Sequence, residues 1–247
     1  MNVFWSLVLG IVQGLTEFLP VSSSGHLVLL QKLLPNFFQP GVLFDVLLHF
    51  ATLLSVVYFF RKRILSITLK YFVLIIIGSV PAVVIGFLFR HSLENMFTND
   101  KFLSFEFLLT GVLNFAIDLP QKKHTELKAG NSFLIGISQA VAIIPAISRS
   151  GATIFTGVKL GIDRKKVAEY SFLLSIPAIL GANILEILSY HSSFSQKLII
   201  PYTAGFIAAF FVGFASIGVL MRFLEGRKFK YFGYYCIALG ILTFFLA

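Results

Sequence analysis

The sequence predicts an all-α integral membrane protein built as an inverted-topology repeat. About six transmembrane helices plus two re-entrant helical hairpins form a single membrane domain over 1–247. Three observations predict it. The chain is 57% hydrophobic and only 13% charged, with 29 Phe, which excludes a disordered tail and argues against a water-soluble domain. Apolar runs at about 44–60, 71–89, 102–117, 167–190, 201–221 and 231–247 approach or reach the roughly 20 residues that cross a bilayer as helix. The third observation is a motif written twice. IVQGLTEFLPVSSSG at 11–25 and ISQAVAIIPAISRSG at 137–151 superpose with a shift of 126. Ile11 falls on Ile137, Gln13 on Gln139, Ser22 on Ser148, Ser24 on Ser150 and Gly25 on Gly151, with Ser23 opposite Arg149. Polar, Gly- and Pro-broken segments in corresponding places of two apolar halves point to a site near the bilayer midplane.

Along the chain, segments 1–19 and 21–34 flank Pro20 and a Ser run, and neither spans a bilayer comfortably. They form a hairpin that returns to the side it entered. The first 19 residues are a poor signal peptide, because no Lys or Arg precedes the apolar stretch and Glu17 interrupts it. Spans 44–60, 71–89 and 102–117 follow, and three is odd, so the second copy of the motif starts on the opposite face. Its hairpin, about 131–147 and 151–162, returns to that face before three more spans. The repeats are therefore about 1–118 and 119–247. A second echo, IGSVPAVVIGFLF at 77–89 against AGFIAAFFVGFAS at 204–216, agrees with a duplication at a shift of 127. A plain six- or eight-helix bundle is the alternative architecture.

The charges test the topology. The net charge is +9, and fourteen of the 20 basic residues lie in four connections. Arg61, Lys62, Arg63 and Lys70 form one group, Lys122, Lys123 and Lys128 a second. Arg164, Lys165 and Lys166 form the third; Arg222, Arg227, Lys228 and Lys230 the fourth. The parity of the spans puts loops 61–70, 118–130, 163–166 and 222–230 on one face, with 35–43, 90–101, 191–200 and both termini on the other. The positive-inside rule makes the basic face cytoplasmic, so the charge reports topology and no nucleic-acid partner is expected. The single Cys236 excludes an intrachain disulfide and a Cys-based metal site, and reads as a small buried residue.

Ser22-Ser23-Ser24-Gly25 and Ser148-Arg149-Ser150-Gly151 each end a break and open a helix. Helix N-termini carry unpaired N–H groups and partial positive charge, so they bind anions, phosphate above all. Arg149 adds a planar fork matched to phosphate oxygens. Two such cradles facing each other would hold a diphosphate; the alternative is that Ser and Gly only cap and pack helices. An Arg near the bilayer centre costs about 2.5–3.5 kcal/mol, so Arg149 needs a partner. Glu17, one turn after Gln13 on the same helix face, is the candidate. That pair could coordinate a hard divalent cation or orient a water, or Glu17 is simply the ion partner of Arg149. His26, three residues after Ser23, can fold back toward the hydroxyl and the phosphate. It then activates Ser23, donates a proton to the leaving phosphate, or attacks itself; the alternative is a packing histidine. Asp45 and His49, spaced i,i+4, line the same cavity or sit at the outer interface. Glu169, Ser171 and Glu186 are weaker candidates.

QGLTEFLPVSSSGHL at 13–27, FDVLLHFATLL at 44–54, PAISRSGATI at 145–154 and EYSFLLSIPAILGAN at 169–183 resemble the bacterial undecaprenyl-diphosphate phosphatases, the bacitracin-resistance family. The likeness covers nearly the whole chain. It implies a multi-pass enzyme of the bacterial cytoplasmic (inner) membrane that removes the terminal phosphate of a C55 isoprenoid diphosphate and recycles the lipid carrier of cell-wall synthesis. The first signature falls on Gln13, Glu17, Ser22, Ser23 and His26; the second on Pro145, Ser148, Arg149, Ser150 and Thr153. The resemblance implies that Glu17 helps bind a divalent cation, Mg2+ or Ca2+, that Ser23 or His26 works at phosphorus, and that Arg149 holds the diphosphate. Gln13 is neutral where many members have Glu, and Ala146 replaces the usual Gly. A polyprenyl-phosphate transporter or flippase is the competing reading, because inverted repeats with broken helices also build transporters. The type-2 phosphatidic-acid phosphatases need a His and an Asp after Ser-Arg, where this chain has Phe, Thr, Gly, Val and Lys at 155–159. A structural membrane protein leaves Glu17, His26 and Arg149 without a purpose.

Overall fold

The computed structural model describes residues 2–34, 43–89, 103–119, 125–144, 147–189, 195–224 and 228–246, apart from the side chains of 186, 187, 189 and 246. Among these residues every regular element is helical, with no strand. The helices are α1 (Val3–Phe18), α2 (Ser23–Leu33), α3 (Leu43–Phe59), α4 (Arg61–Leu65), α5 (Leu69–Leu88) and α6 (Leu103–Ile117). They continue with α7 (Ala129–Val141), α8 (Arg149–Lys159), α9 (Arg164–Ser189), α10 (Ile199–Phe223) and α11 (Phe229–Leu246). Three stretches, Leu69–Leu88, Arg164–Leu185 and Gln196–Phe223, are long and apolar enough to cross a membrane. Val3–Phe18, Leu43–Phe59, Leu103–Ile117 and Phe229–Phe245 are apolar but shorter. Along α5, Phe72, Ile76, Val80, Val83 and Phe87 are exposed on one stripe, which suits hydrocarbon and not water.

Local chemistry sets the helix ends. Asn2 Oδ1 accepts from Trp5 N–H at 2.9 Å and starts α1; Pro20 ends it, because the residue before a proline avoids helical backbone. Thr68 caps α5 by accepting from Tyr71 N–H at 3.3 Å. The two breaks expected around the repeated motif are present, but the second differs in extent: α7 stops at Val141, not near 147. Residues 142–144 are in turn and bend instead of extending the helix. Pro145 and Ala146 lie outside the described residues, as do loops 35–42, 90–102, 120–124, 190–194 and 225–227 and the side chain of Glu186. The basic connection at 61–70 also contains the short helix α4, unforeseen from its apolarity.

Two helix crossings are spaced alike along the chain. Helix α1 lies along α10, and α7 along α5. A Cβ on Gly10 would stand 2.2 Å from the carbonyl oxygen of Gly205, and one on Gly136 would stand 2.2 Å from that of Gly78. Gly10 and Gly136 are 126 apart, Gly78 and Gly205 are 127 apart. The neighbours match too: a Cβ on Gly205 meets Phe44 at 2.6 Å, and one on Gly78 meets Tyr170 at 2.4 Å, again 126 apart. Bare backbone is required at both crossings.

Described residues of the basic connections bond to one another or to the start of α9. Arg63 Nε–H donates to Glu169 Oε1 at 2.6 Å, and this bond holds the guanidinium above its ordinary pKa. Arg164 Nη1 donates to Asp118 Oδ1 at 3.1 Å and Nη2 to the carbonyl of Ile117 at 3.0 Å. The Lys230 N–H donates to the other Asp118 oxygen at 2.9 Å, and the Thr125 N–H to the carbonyl of Gly161 at 2.8 Å. A large apolar core includes Phe18, Phe60, Ile117, Ile154, Phe172 and Phe229. A second cluster, with Leu9, Phe44, Leu48 and Tyr202, packs α1, α3 and α10. The polar residues of the two breaks lie in neither cluster.

Candidate active site

Each break presents serine at a helix start. Ser22 Oγ accepts from Gly25 N–H at 3.3 Å and Ser148 Oγ from Gly151 N–H at 3.1 Å. The Ser22 and Ser24 hydroxyls are 3.4 Å apart, those of Ser148 and Ser150 3.2 Å. The tips touch: a Cβ on Gly151 would lie 3.4 Å from Pro20 Cβ, and Ser150 Oγ reaches the carbonyl of Leu19 at 3.4 Å. Ser22 has φ 69°, the one positive φ outside glycine among the described residues. That conformation costs about 1–3 kcal/mol for a side-chain residue and turns the chain sharply just before Ser23.

Glu17 is the hub. Its Oε1 accepts from Arg149 Nη2 at 2.5 Å, and its Oε2 from Ser23 Oγ–H at 2.6 Å and from Gln13 Nε2 at 3.1 Å. His49 Nε2 stands 3.6 Å from Oε2. The carboxylate is buried, 5% exposed, and the Arg149 side chain is 15% exposed. Gln13 Nε2 also lies 3.5 Å from Thr52 Oγ1, a neighbour on α3 that no motif marks. Four polar atoms of this region stay buried without a hydrogen-bond partner: the donors Arg149 Nη1 and Gln139 Nε2 and the acceptors Gln13 Oε1 and Gln139 Oε1. A buried guanidinium nitrogen without an acceptor is costly, and a phosphate oxygen is the acceptor its geometry fits.

The structure brings Gln13, Glu17, Ser23, His49 and Arg149 together; other expected residues point elsewhere. The His26 ring does not fold toward Ser23. Its Nδ1 meets the Ser22 carbonyl at 2.6 Å and its Nε2 meets Tyr235 Oη at 2.6 Å. A carbonyl only accepts, so Nδ1 carries the proton, and in the neutral ring Nε2 accepts from the Tyr235 hydroxyl. The ring also packs edge-on to Phe107 at 5.2 Å. His26 thus grips the carbonyl of the strained Ser22, because that turn aims the carbonyl back along α2. Asp45 Oδ1 accepts from Gln31 Nε2 at 2.6 Å, and its backbone carbonyl meets His49 Nδ1 at 2.8 Å. Thr153 Oγ1 donates to the Arg149 carbonyl at 2.8 Å and lies 2.6 Å from Ser171 Oγ, tying α8 to α9. Glu169 serves the Arg63 ion pair. Tyr235 was missed because a tyrosine in an apolar span looks like any lipid-facing aromatic.

The donor set does not fit a protein-held divalent cation. Mg2+ and Ca2+ want several oxygen ligands, usually with more than one carboxylate. Here one carboxylate is already shared among a guanidinium, a hydroxyl and an amide N–H. Among the described residues no group of three His, Cys, Asp or Glu converges.

The model of the family described as bacitracin resistance protein BacA matches residues 6–242. An undecaprenyl-diphosphatase of Carboxydothermus hydrogenoformans is 39% identical over 251 residues, covering 98% of this chain and 96% of that protein. One of Thermosipho africanus is 40% identical over 252 residues, covering 97% and 98%. One of Christiangramia forsetii is 39% identical over 261 residues, covering 100% and 99%. With its twin interrupted tips, its Glu17–Arg149 pair and near-complete coverage at this identity, the chain belongs to the bacitracin resistance protein BacA family.

Proposed function

We propose that this chain is an integral-membrane phosphatase that converts undecaprenyl diphosphate to undecaprenyl phosphate and inorganic phosphate. The product is the lipid carrier of cell-wall synthesis, and its regeneration accounts for bacitracin resistance. The observation that carries the reading is the Ser23–Glu17–Arg149 array: a hydroxyl 2.6 Å from a buried carboxylate whose other oxygen is held by a guanidinium. Translocation of a lipid phosphate has no need of a hydroxyl bonded to a base, so the flippase reading is not favoured.

In this mechanism Ser23 Oγ attacks the terminal phosphorus while Glu17 accepts its proton. The bond from phosphorus to the bridging oxygen breaks, and the lipid monophosphate leaves carrying the proton that Glu17 took from Ser23. Water then attacks the phosphoserine and gives its proton to the freed Glu17 carboxylate, which returns it to Ser23 Oγ as inorganic phosphate departs. Arg149 Nη1 and the N–H groups opening α2 and α8 neutralise charge on the phosphates. His26, backed by Tyr235, holds the Ser22 turn that presents Ser23. No step uses a protein-bound cation; Mg2+ or Ca2+ would travel on the diphosphate oxygens.

The architecture in this reading is an inverted repeat, about 1–118 and 119–247, with six spans and two re-entrant hairpins in one membrane domain. The mirrored Gly10–Gly205 and Gly136–Gly78 contacts support it. The protein sits in the bacterial cytoplasmic membrane with its basic end in the cytoplasm, supported by the bonds that join Arg63, Asp118 and Lys230 to one another or to the start of α9. The deciding experiment is phosphate release from undecaprenyl or farnesyl diphosphate by the purified, detergent-solubilised chain. Wild type releases phosphate, Arg149→Ala loses about 10³-fold or more in kcat, and 32P from labelled substrate is trapped on Ser23. No release by wild type, or near-normal turnover by Ser23→Ala, would sink the proposal.

A further inference from the structure

The reacting groups come from two separate interruptions, and their direct contacts are few, so something else must set the spacing between the tips. Helix α6 touches both. Asn114 Nδ2–H donates to the Pro20 carbonyl at 2.6 Å, in the first tip, and Thr110 Oγ1 accepts from the Ser148 N–H at 3.2 Å, in the second. Both side chains are fully buried. Spaced i,i+4, they lie on one face of α6, about 6 Å apart along its axis. We propose that Thr110 and Asn114 are positioning residues that lock the two tips in register, so that Ser23, Glu17 and Arg149 share one pocket. For its activity readout the proposal rests on the diphosphatase reading.

The bonds answer a physical need. The Pro20 carbonyl and the Ser148 amide are backbone groups freed where a helix is interrupted, and hydrocarbon offers them no water. Satisfying both from one rigid helix converts that need into alignment. Helix α6 is itself fixed against α11: Ser104 Oγ donates to the Gly240 carbonyl at 2.5 Å, and a Cβ on Gly111 or Gly233 would lie 3.1 Å from the other's carbonyl oxygen. From α11, Cys236 Sγ stands 3.9 Å from the Pro20 carbonyl and 4.0 Å from Asn114 Nδ2, backing the first clamp. The clamped atoms sit at the roots of the reacting groups: Arg149 follows Ser148 directly, and Glu17 and Ser23 are each three residues from Pro20. A misplacement of 1 Å there costs on the order of 10²-fold in rate.

The test compares Thr110→Val, which keeps the shape and removes the acceptor, with Thr110→Ser, which does the opposite, in the full chain in detergent. Thr110→Val should lower kcat on farnesyl diphosphate by roughly 10- to 100-fold with KM within a few-fold. It should also speed hydrogen exchange of amides 147–151, and Thr110→Ser should restore both. Asn114→Leu should act alike on kcat and on amides 19–25. Val matching wild type in rate and exchange, or Ser as impaired as Val, would overturn the proposal, since volume and not the hydrogen bond would then matter. Exchange needs no substrate, so a wild type without phosphatase activity would sink the functional reading while the exchange arm still judged the clamps.

Discussion

Glu17 and Arg149 show why a buried ion pair matters more when half of it is removed than when all of it is. Taking away one partner leaves an uncompensated charge in low dielectric, at about 3–5 kcal/mol, whereas replacing both by apolar groups is often neutral. Glu17→Leu and Arg149→Met alone should therefore each lower thermal stability markedly, and the double variant should recover most of it while remaining inactive. A double variant less stable than both singles would contradict a direct pair. The same crowding bears on metal. Calorimetric titration of the substrate-free protein with Ca2+ should show no saturable site tighter than about 10⁻³ M, and a micromolar site would refute the placing of the cation on the diphosphate. Glu17, Arg149 and Ser23 were legible as residues, because charge and serine interrupt apolar sequence. The turning of His26 toward Tyr235 was not, since the partners are 209 residues apart.

At the scale of elements, the helix crossings set what the sequence tolerates. A methyl on Gly10 or Gly136 would collide with a backbone carbonyl at 2.2 Å, and backbone cannot rotate away as a side chain can. Gly10→Ala and Gly136→Ala should each destabilise by roughly 1–3 kcal/mol or more, read as a fall in melting temperature in detergent. Gly130→Ala and Gly181→Ala meet nothing within 4 Å and should leave it unchanged. If all four behaved alike, close crossing would not be the reason for glycine at 10 and 136. The breaks at Pro20 and before Ser148 were legible from proline and serine. The early stop at Val141 was not, because residues 142–144 are apolar and look like more helix.

For the whole molecule, Asp118 is the clearest organiser, joining the segments at 118, 164 and 230. Cysteines introduced at Lys70, Lys128 and Lys166 should all react with a membrane-impermeant maleimide from the same side, the cytoplasmic one. The native Cys236 is fully buried and should contribute no background. Labelling of any one site from the opposite face would break the topology.

Composition, span length and the doubled motif determined by themselves that this is a helical membrane protein and which residues are candidates for its chemistry. Those features act locally: apolar runs seek lipid, and polar breaks within them must be satisfied. Tertiary structure alone decided that Ser23 bonds Glu17 and not His26, that Thr153 serves Ser171, and that Thr110 and Asn114 hold the tips. Each of these depends on where distant helices cross, and crossing geometry comes from packing of the whole chain, which no short stretch of sequence encodes.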